Sequence, residues 1–230
     1  PSILGERTVV RGATAEALAA DLDTLQRVPL VAGLHPFLAG KLTALAEHPD
    51  PQVLYAVPQA VAWARPLTTA YLSLHHAADA VAADDAELSG YLRNRARDLL
   101  SNDYESGDAA WVTGRFGRLN AQIGSYETYD DALFGVKAFP SMSLLLRDEA
   151  ATAELAKSLG SLQEIEDALP YSPKKRVRAE IPIGVYDVIA DFGQARGTNT
   201  ATNLPNEAYL ARQYGRTILM RGNILLNDEI

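Results

Sequence analysis

Hydrophobic residues in the first hundred positions recur every three to four residues, which is the spacing of amphipathic helices. The stretch TAEALAADLDTLQR places Leu18, Leu22 and Leu25 on one face, with Thr14 as the expected N-cap. The stretch DDAELSGYLRNRARDLL gives a longer stripe of Leu88, Tyr91, Leu92, Ala96 and Leu99. Both patterns predict helices with one buried face.

Prolines bound two further helical stretches in this part of the chain. LHPFLAGKLTALAEHPDP lies between Pro36 and the pair Pro49 and Pro51, and LTTAYLSLHHAADAVAA follows Pro58 and Pro66. Because proline is tolerated at helix ends and not inside them, these positions predict helix boundaries.

The pattern changes after residue 100. RLNAQIGSYETYDD and SMSLLLRD contain the short apolar and aromatic runs of strands. VYDVIADF and TILMRGNIL have the period-two alternation of strands. In the first stretch the residues on one side are Tyr186, Val188, Ala190 and Phe192. In the second they are Ile218, Met220 and Ile224.

Helical stretches separate these predicted strands. DEAATAELAKSLG is expected to end at Gly160, SLQEIEDAL opens with the capping box Ser161 and Glu164, and EAYLARQY follows Asn206 as its cap and ends at Gly215. We therefore predict an α+β fold, with a mainly helical region 1–100 and a mixed α/β region 101–230.

Composition narrows the classes of function. The chain has 230 residues, a net charge of −8 and no cysteine. The acidic balance argues against nucleic acid as a partner, because phosphate neutralisation needs a basic face. No apolar run approaches the ~20 residues of a membrane span and no signal-peptide pattern opens the chain. We expect no membrane partner, and favour a cytoplasmic over a periplasmic location.

Motifs for metal and nucleotide chemistry are absent from the sequence. The histidines, at 35, 48, 75 and 76, do not form the i, i+4 pair of a zinc helix, and no G-x-S-x-G, P-loop or G-x-G-x-x-G occurs. SPKKRVR is interpreted as a solvated loop and NDYESGDAAW as a capped helix start. We predict that this chain alone binds no metal.

Two segments carry candidate chemistry. In GSYETYDD, Glu127 and Tyr129 are two residues apart, so on a strand they would point the same way. A carboxylate beside a phenol can anchor an ammonium group and donate a hydrogen bond to an oxyanion. Spacing alone favours the alternative that the tyrosines here pack and the glutamate is solvated.

The second segment is DFGQARGTNTATNLPN, which lies between two apolar runs. It is polar enough for a flexible loop, but Pro205 is rigid, and Asn203 and Asn206 beside it are good partners for a backbone. The alternatives are a mobile linker and an edge of backbone that binds another chain.

Four ordered stretches, LLSNDYESGDAAWV, LNAQIGSYETYDDALFGVKAF, VIADFGQARGTNTATNLPN and YGRTILMRGNILLN, resemble the dipeptidyl peptidase III family of zinc metallopeptidases, in particular its bacterial branch. The resemblance runs from about Tyr91 to the end of the chain. It implies a two-lobed enzyme whose lower lobe contains a β-barrel, with peptide substrate between the lobes.

The resemblance also implies roles for the candidate residues. Glu127 corresponds to the carboxylate that anchors the substrate's ammonium group, and Tyr129 to the phenol that hydrogen-bonds the scissile carbonyl. Asn203, Pro205 and Asn206 lie at the strand edge on which the peptide is bound by β-augmentation.

The family's zinc-binding H-E-x-x-H helix follows the last of these stretches, and the chain ends at Ile230 before it. We expect zinc in the complete enzyme, and a short peptide and the missing zinc-binding part as partners. The expected function is the substrate-binding portion of a hydrolase that removes N-terminal dipeptides. The chain could then be part of a longer enzyme, one piece of a split protein, or, as the alternative function, a non-catalytic peptide-binding module.

Overall fold

The structure is a computed structural model of the chain, and it describes residues 3, 5–177, 182–195 and 199–227. The chain divides into two compact units. The first consists of Pro1–Gly114 and Ile123–Ser141, and the second of Arg115–Gln122 and Met142–Ile230. The expected division of function between 1–100 and 101–230 stays a prediction.

Helices dominate the first unit. Its elements up to residue 114 are β1 (Thr8–Ala13), α1 (Ala15–Arg27), α2 (Pro29–Leu34), α3 (Leu38–Ala46), β2 (Asp50–Pro58), α4 (Gln59–Ala62), α5 (Ala64–Val81), α6 (Ala86–Ser101) and α7 (Glu105–Thr113).

Helix α1 forms as its pattern predicts. The Thr14 hydroxyl accepts a hydrogen bond from the Ala17 backbone N–H at 3.1 Å, which satisfies one of the free donors at the helix start. Leu18 and Leu25 are buried, and Leu22 is partly buried against the same core. The core around them is built mainly from the helices and β2, and its fully buried members are Ala13, Leu18, Val31, Leu42, Val57, Ala60 and Leu100.

The strands β1 and β2 are absent from the sequence prediction, which assigned this part of the chain to helices. They pair antiparallel, with Thr8 opposite Pro58 and Gly12 opposite Leu54. Pro51 was interpreted only as a helix stop, although it lies inside β2. Gly12 is required by the pairing, because a Cβ there would lie 2.7 Å from the Pro51 carbonyl oxygen.

Helix α6 buries the whole predicted stripe of five residues, and it also buries charge. The Asp85 carboxylate caps its start by accepting from the Leu88 N–H at 2.8 Å, and Asn102 ends it in the left-handed region at φ 65°. Arg95 and Asp98 lie on its buried surface. The stripe therefore continues into a polar interior that hydrophobic periodicity does not reveal.

The second unit is built around a sheet. Strands β3 (Leu119–Ser125) and β4 (Pro140–Arg147) each begin in one unit and end in the other. They are followed by α8 (Glu149–Ser158), a 3₁₀ turn (Leu159–Ser161), α9 (Leu162–Ala168), β5 (Ile183–Gly193), β6 (Ala201–Leu204), α10 (Ala208–Tyr214), β7 (Thr217–Arg221) and α11 (Gly222–Asn227).

The strands form one sheet in the order β3-β4-β5-β7-β6. Strand β5 pairs parallel with β7, and β6 pairs antiparallel with it, so β6 is the last strand at one edge of the sheet that the described residues form. The sheet is a curled half-barrel, and the predicted α+β class is confirmed.

Three local expectations in this unit are wrong. The Ser161 side chain makes no capping bond and instead donates to the Ser158 carbonyl. Helix α10 begins after Glu207, so Asn206 is not its N-cap. The alternation of TILMRGNIL stops at Arg221, where the chain turns into α11, and Ile224 is therefore helical.

Within the described ranges, no helix has the length and apolar character to cross a membrane.

Candidate functional site

Glu127 and Tyr129 lie on the loop of residues 126–139 that joins β3 to β4, here called the β3–β4 loop. Strand β3 ends at Ser125, so the expectation that the two side chains share a strand face is wrong. Tyr129 is 85 % exposed, and the packing interpretation therefore does not describe it. Glu127 is half-buried, and its carbonyl accepts from the Phe139 N–H at 3.3 Å.

The Asp131 carboxylate closes the turn of this loop. It accepts four backbone hydrogen bonds, from Leu133 at 3.1 Å, Phe134 at 3.2 Å, and Val136 and Lys137 at 2.8 Å each. These bonds favour the ionised form and lower the pKa of Asp131 to about 2. The loop beside Tyr129 is therefore held by one charged side chain.

Lys137 anchors the far side of the loop to the start of the chain. Its ammonium donates to the carbonyls of Ile3 at 2.6 Å and Gly5 at 2.8 Å, and to the Thr8 hydroxyl at 2.8 Å. The desolvation that accompanies these contacts lowers the pKa of Lys137.

Gln59 ties the two ends of the loop together. Its amide nitrogen donates to the Ala138 carbonyl at 2.6 Å, and its amide oxygen accepts from the Ser125 hydroxyl at 2.9 Å. The side chain is buried. Because both loop ends bond to one buried amide, the loop is fixed at its base as well as at its turn.

A largely apolar cavity of about 410 Å³ lies against the same loop within the first unit. Its lining combines loop residues with β1, β2 and the α4–α5 junction, among them Val9, Leu54, Trp63, Leu133, Phe134 and Phe139. Leu133 and Phe134 remain strongly exposed at its rim.

Asn203 lies on β6, at the edge of the sheet. The Arg221 N–H donates to the Thr200 carbonyl at 2.9 Å, and strand register then places Thr202 opposite Leu219 and Asn203 opposite Ile218. Hydrogen-bonded and non-hydrogen-bonded pairs alternate along an antiparallel ladder. The backbone N–H and C=O of Asn203 therefore point away from β7.

The direction of the Ile218 backbone N–H, opposite Asn203 in the strand pairing, confirms this orientation. The Ile218 N–H donates to the Pro182 carbonyl at 2.8 Å, on the β5 side of β7, and not toward β6. The other outward N–H of β6, that of Ala201, is satisfied by the Asn199 side chain at 3.2 Å. Asn203 thus offers one outward donor and one outward acceptor at the sheet edge.

Pro205 and Asn206 follow directly after β6. Pro205 is buried and Asn206 is exposed, and neither lies within the strand. Thr202, between the two outward positions, is buried. The edge that the segment presents is therefore short.

Arg221 holds the end of β7 in place. This side chain is 1 % exposed, and its guanidinium donates to Asp191 at 2.7 Å and to the Ser143 hydroxyl at 2.7 Å. The ion pair joins β5 and β7, the hydrogen bond to Ser143 adds β4, and the backbone N–H of the same residue donates to the Thr200 carbonyl.

The predicted site residues form two groups. Glu127 and Tyr129 share the β3–β4 loop of the first unit, and Asn203, Pro205 and Asn206 share the β6 edge of the second. Sequence reasoning missed the residues that hold these groups, namely Gln59, Asp131, Lys137, Asp191 and Arg221. A usable signal existed for Asp131, since an aspartate four residues before Gly135 is typical of a turn.

No group of three or more His, Asp or Glu side chains in the described part of the chain is arranged to hold a metal ion. The described residues therefore do not fit a zinc site of their own.

No family model matches the chain. Among solved structures it is similar to dipeptidyl-peptidase III from Corallococcus sp. strain EGB, with 33 % identity and a TM-score of 0.63, over 76 % of this chain and 33 % of that one. It is also similar to DPP III from Caldithrix abyssi, with 34 % identity and a TM-score of 0.68, over 76 % of this chain and 34 % of that one. The resemblance to dipeptidyl peptidase III is confirmed, and the chain has a DPP III-like fold.

A curated protein, Nudix hydrolase 3 of Arabidopsis thaliana, is 33 % identical over 174 residues. The match covers 74 % of this chain and 22 % of that protein. The chain thus spans about a fifth of this relative and about a third of the DPP III structures.

Proposed function

We propose that this chain forms the substrate-binding portion of a DPP III-like, zinc-dependent hydrolase that removes dipeptides from the N-termini of short peptides. The observation that carries the proposal is 33–34 % identity, over three quarters of the chain, to two DPP III structures that superpose with TM-scores of 0.63 and 0.68.

Glu127 is proposed to anchor the N-terminal ammonium group of the peptide. A carboxylate and an ammonium group attract each other and form short, charge-assisted hydrogen bonds. The fixed loop supports this role, because a carboxylate that is already in position loses little freedom when the ligand binds. Two side chains hold the loop in place: Gln59 bonds to both loop ends, and Asp131 bonds to the backbone of the turn.

The β6 edge is proposed to bind the peptide backbone. An extended peptide can add to a sheet edge through main-chain hydrogen bonds, which gives affinity with loose sequence preference. The outward N–H and C=O of Asn203 provide one such pair of bonds. Asn206, exposed just beyond the strand, is proposed to bond the peptide as well. Pro205, whose peptide bond with Leu204 is cis, separates the two asparagines.

Tyr129 is proposed to donate a hydrogen bond to the carbonyl oxygen of the scissile bond as negative charge develops there. Its 85 % exposure leaves the phenol accessible to a ligand. Zinc would polarise the carbonyl and activate water when bound. Its ligands would lie outside the described residues.

The test is Tyr129→Phe in the protein with its full natural sequence. Loss of one oxyanion donor is expected to lower kcat by about 10²-fold or more with little change in KM. Tyr171→Phe, which removes another exposed phenol hydroxyl, is the matched control and should leave both constants unchanged. An unchanged kcat in Tyr129→Phe would remove the assigned role.

The same assay separates the enzyme from a non-catalytic peptide-binding module. A module would bind short peptides in calorimetry, and Glu127→Gln would weaken that binding, but no dipeptide would be released at any protein concentration.

A further inference from the structure

A buried charged cluster lies beneath the β3–β4 loop. Arg95 of α6 is 1 % exposed, and its guanidinium contacts the carboxylates of Asp98 at 3.2 Å and Asp108 at 2.7 Å. The Ser106 hydroxyl donates to the other oxygen of Asp98 at 2.9 Å. The Tyr126 hydroxyl donates to Asp108, on the same oxygen that accepts from Arg95.

Aromatic rings surround the guanidinium group. Arg95 lies 4.9 Å from the centre of the Tyr104 ring and 5.6 Å from that of Tyr126. The Arg7 guanidinium also packs against these rings, 3.9 Å from the centre of the Tyr104 ring, and it donates to the Ser125 carbonyl at 2.9 Å. The last residue of β3 and the first residue of the loop are therefore both tied to the cluster.

Two glycines make room for this arrangement. A Cβ at Gly107 would lie 2.0 Å from the Asp98 carboxylate and 2.8 Å from the Arg95 guanidinium carbon. Gly124 has φ +150°, and a Cβ there would lie 2.5 Å from the Tyr126 ring. The backbone on both sides is thus shaped to admit the charged side chains and the Tyr126 ring.

Burial of such a cluster is not in itself a source of stability. Taking charges out of water is unfavourable, and apolar replacements of buried ion pairs are often neutral or stabilising. Polar groups of this kind can instead specify one conformation. The conformation that this cluster specifies is that of the residues around Tyr126, directly before Glu127.

We propose that Tyr126 is a positioning residue, through which the buried Arg95–Asp108 pair holds Glu127 where it binds the substrate's ammonium group. The inference rests on the proposed function. The link is short: the Tyr126 hydroxyl is fixed by Asp108, the next residue is Glu127, and the Glu127 carbonyl is bonded to the Phe139 N–H.

The experiment compares Tyr126→Phe with Tyr91→Phe in the protein with its full natural sequence. Tyr91 is a buried tyrosine of the same cluster, and the centre of its ring lies 5.5 Å from the Arg95 guanidinium carbon. Each variant loses one buried hydroxyl, so both are expected to lower the melting temperature by similar amounts. Only Tyr126→Phe removes the hydrogen bond to Asp108 that fixes residue 126, directly before Glu127.

The readout is calorimetric binding of two peptides that differ only in N-terminal acetylation. Tyr126→Phe is expected to weaken binding of the free-amine peptide by about tenfold, the effect of one charge-assisted bond, and to leave the acetylated peptide unchanged. In kinetics KM should rise with kcat nearly constant, and the Phe139 amide should exchange faster with deuterium. Tyr91→Phe should leave the ratio of the two affinities as in the wild type.

Equal loss for both peptides, or equal loss in both variants, would overturn the positioning role and leave a merely structural one. Glu127→Gln separates the two hypotheses. If it has no effect on the free-amine peptide, the proposed function fails; if it weakens binding while Tyr126→Phe does not, only the positioning role fails.

Discussion

Two aspartates of the first unit have pKa values shifted in opposite directions, and each shift has a local cause. Asp131 is stabilised as an anion by four backbone N–H donors, and its pKa is about 2. Burial raises the pKa of Asp98 to about 6, against the opposing effect of Arg95. A hydrogen-bonded surface turn therefore favours charge, whereas the buried cluster opposes it.

Asp131→Asn tests the turn. Because the folded pKa lies below the ordinary value of 3.8, the stabilisation is fully present above about pH 4 and is lost as pH falls toward about 2. We expect the variant to have a lower melting temperature at neutral pH, and the gap from the wild type to narrow on acidification.

Asp84→Asn, the same chemical change at an exposed site, is the control and should have a melting temperature close to that of the wild type at neutral pH. If the difference in melting temperature between Asp131→Asn and the wild type does not change with pH, the assigned role of the carboxylate is contradicted.

Asp98→Asn tests the cluster. With the folded pKa near 6 and the ordinary value at 3.8, Asp98 binds more protons in the folded state, so its contribution to stability is fully present below about pH 4 and declines as pH rises through about 4 to 6. Denaturation curves at a series of pH values should show this decline for the wild type and not for the variant. The difference between the two proteins isolates Asp98 from other titrating groups, such as His35.

At the scale of elements, the sequence predicted those that pack by one periodic face. Leu88, Tyr91 and Leu92 form the buried stripe of α6 as expected, and Thr14 caps α1. Strand β2 was missed because its first five residues are exposed and Pro51 suggested a helix end. What periodicity cannot reveal is pairing between distant segments.

The residues of the candidate site also divide into those that a sequence motif indicates and those that only tertiary contacts reveal. Glu127, Tyr129 and Asn203 are predicted site residues because they lie in motifs that resemble the family, and the order of the motifs reflects a shared fold. Gln59, Arg95 and Asp108 were not found, since their partners lie far away in sequence: Gln59 bonds to Ala138, 79 residues on. Their importance depends on tertiary contacts, which one sequence does not show.

Asn203→Pro tests the β6 edge. Proline removes an N–H that points away from β7, so the ladder within the sheet is retained and melting should change little. Peptide affinity should fall by about tenfold, because one outward donor is lost.

Asn203→Ala is the matched control, since it removes the side chain and keeps the backbone donor. A loss in Asn203→Ala as large as in Asn203→Pro would show that the side chain, and not the strand edge, binds the peptide.

At the scale of the whole molecule, substrate binding and metal chemistry are proposed to reside in different parts of the protein. The described residues include the proposed acidic anchor, the proposed phenol donor and the proposed strand edge, and they contain no cluster suited to a metal. Removal of metal should therefore affect the two activities differently.

Dialysis of the protein with its full natural sequence against a chelator is expected to abolish dipeptide release and to leave calorimetric peptide binding intact. Zinc should restore release, and magnesium should not. Loss of binding together with release would contradict the separation of the two roles.

The most direct measurement of the central claim is mass spectrometry of the products released from an unmodified hexapeptide and from its N-acetylated form. The account predicts that the free-amine peptide loses successive dipeptides from its N-terminus, that the acetylated peptide is not cleaved, and that Tyr129→Phe nearly stops the release. Cleavage of both peptides at the same rate, or release of single amino acids, would contradict it.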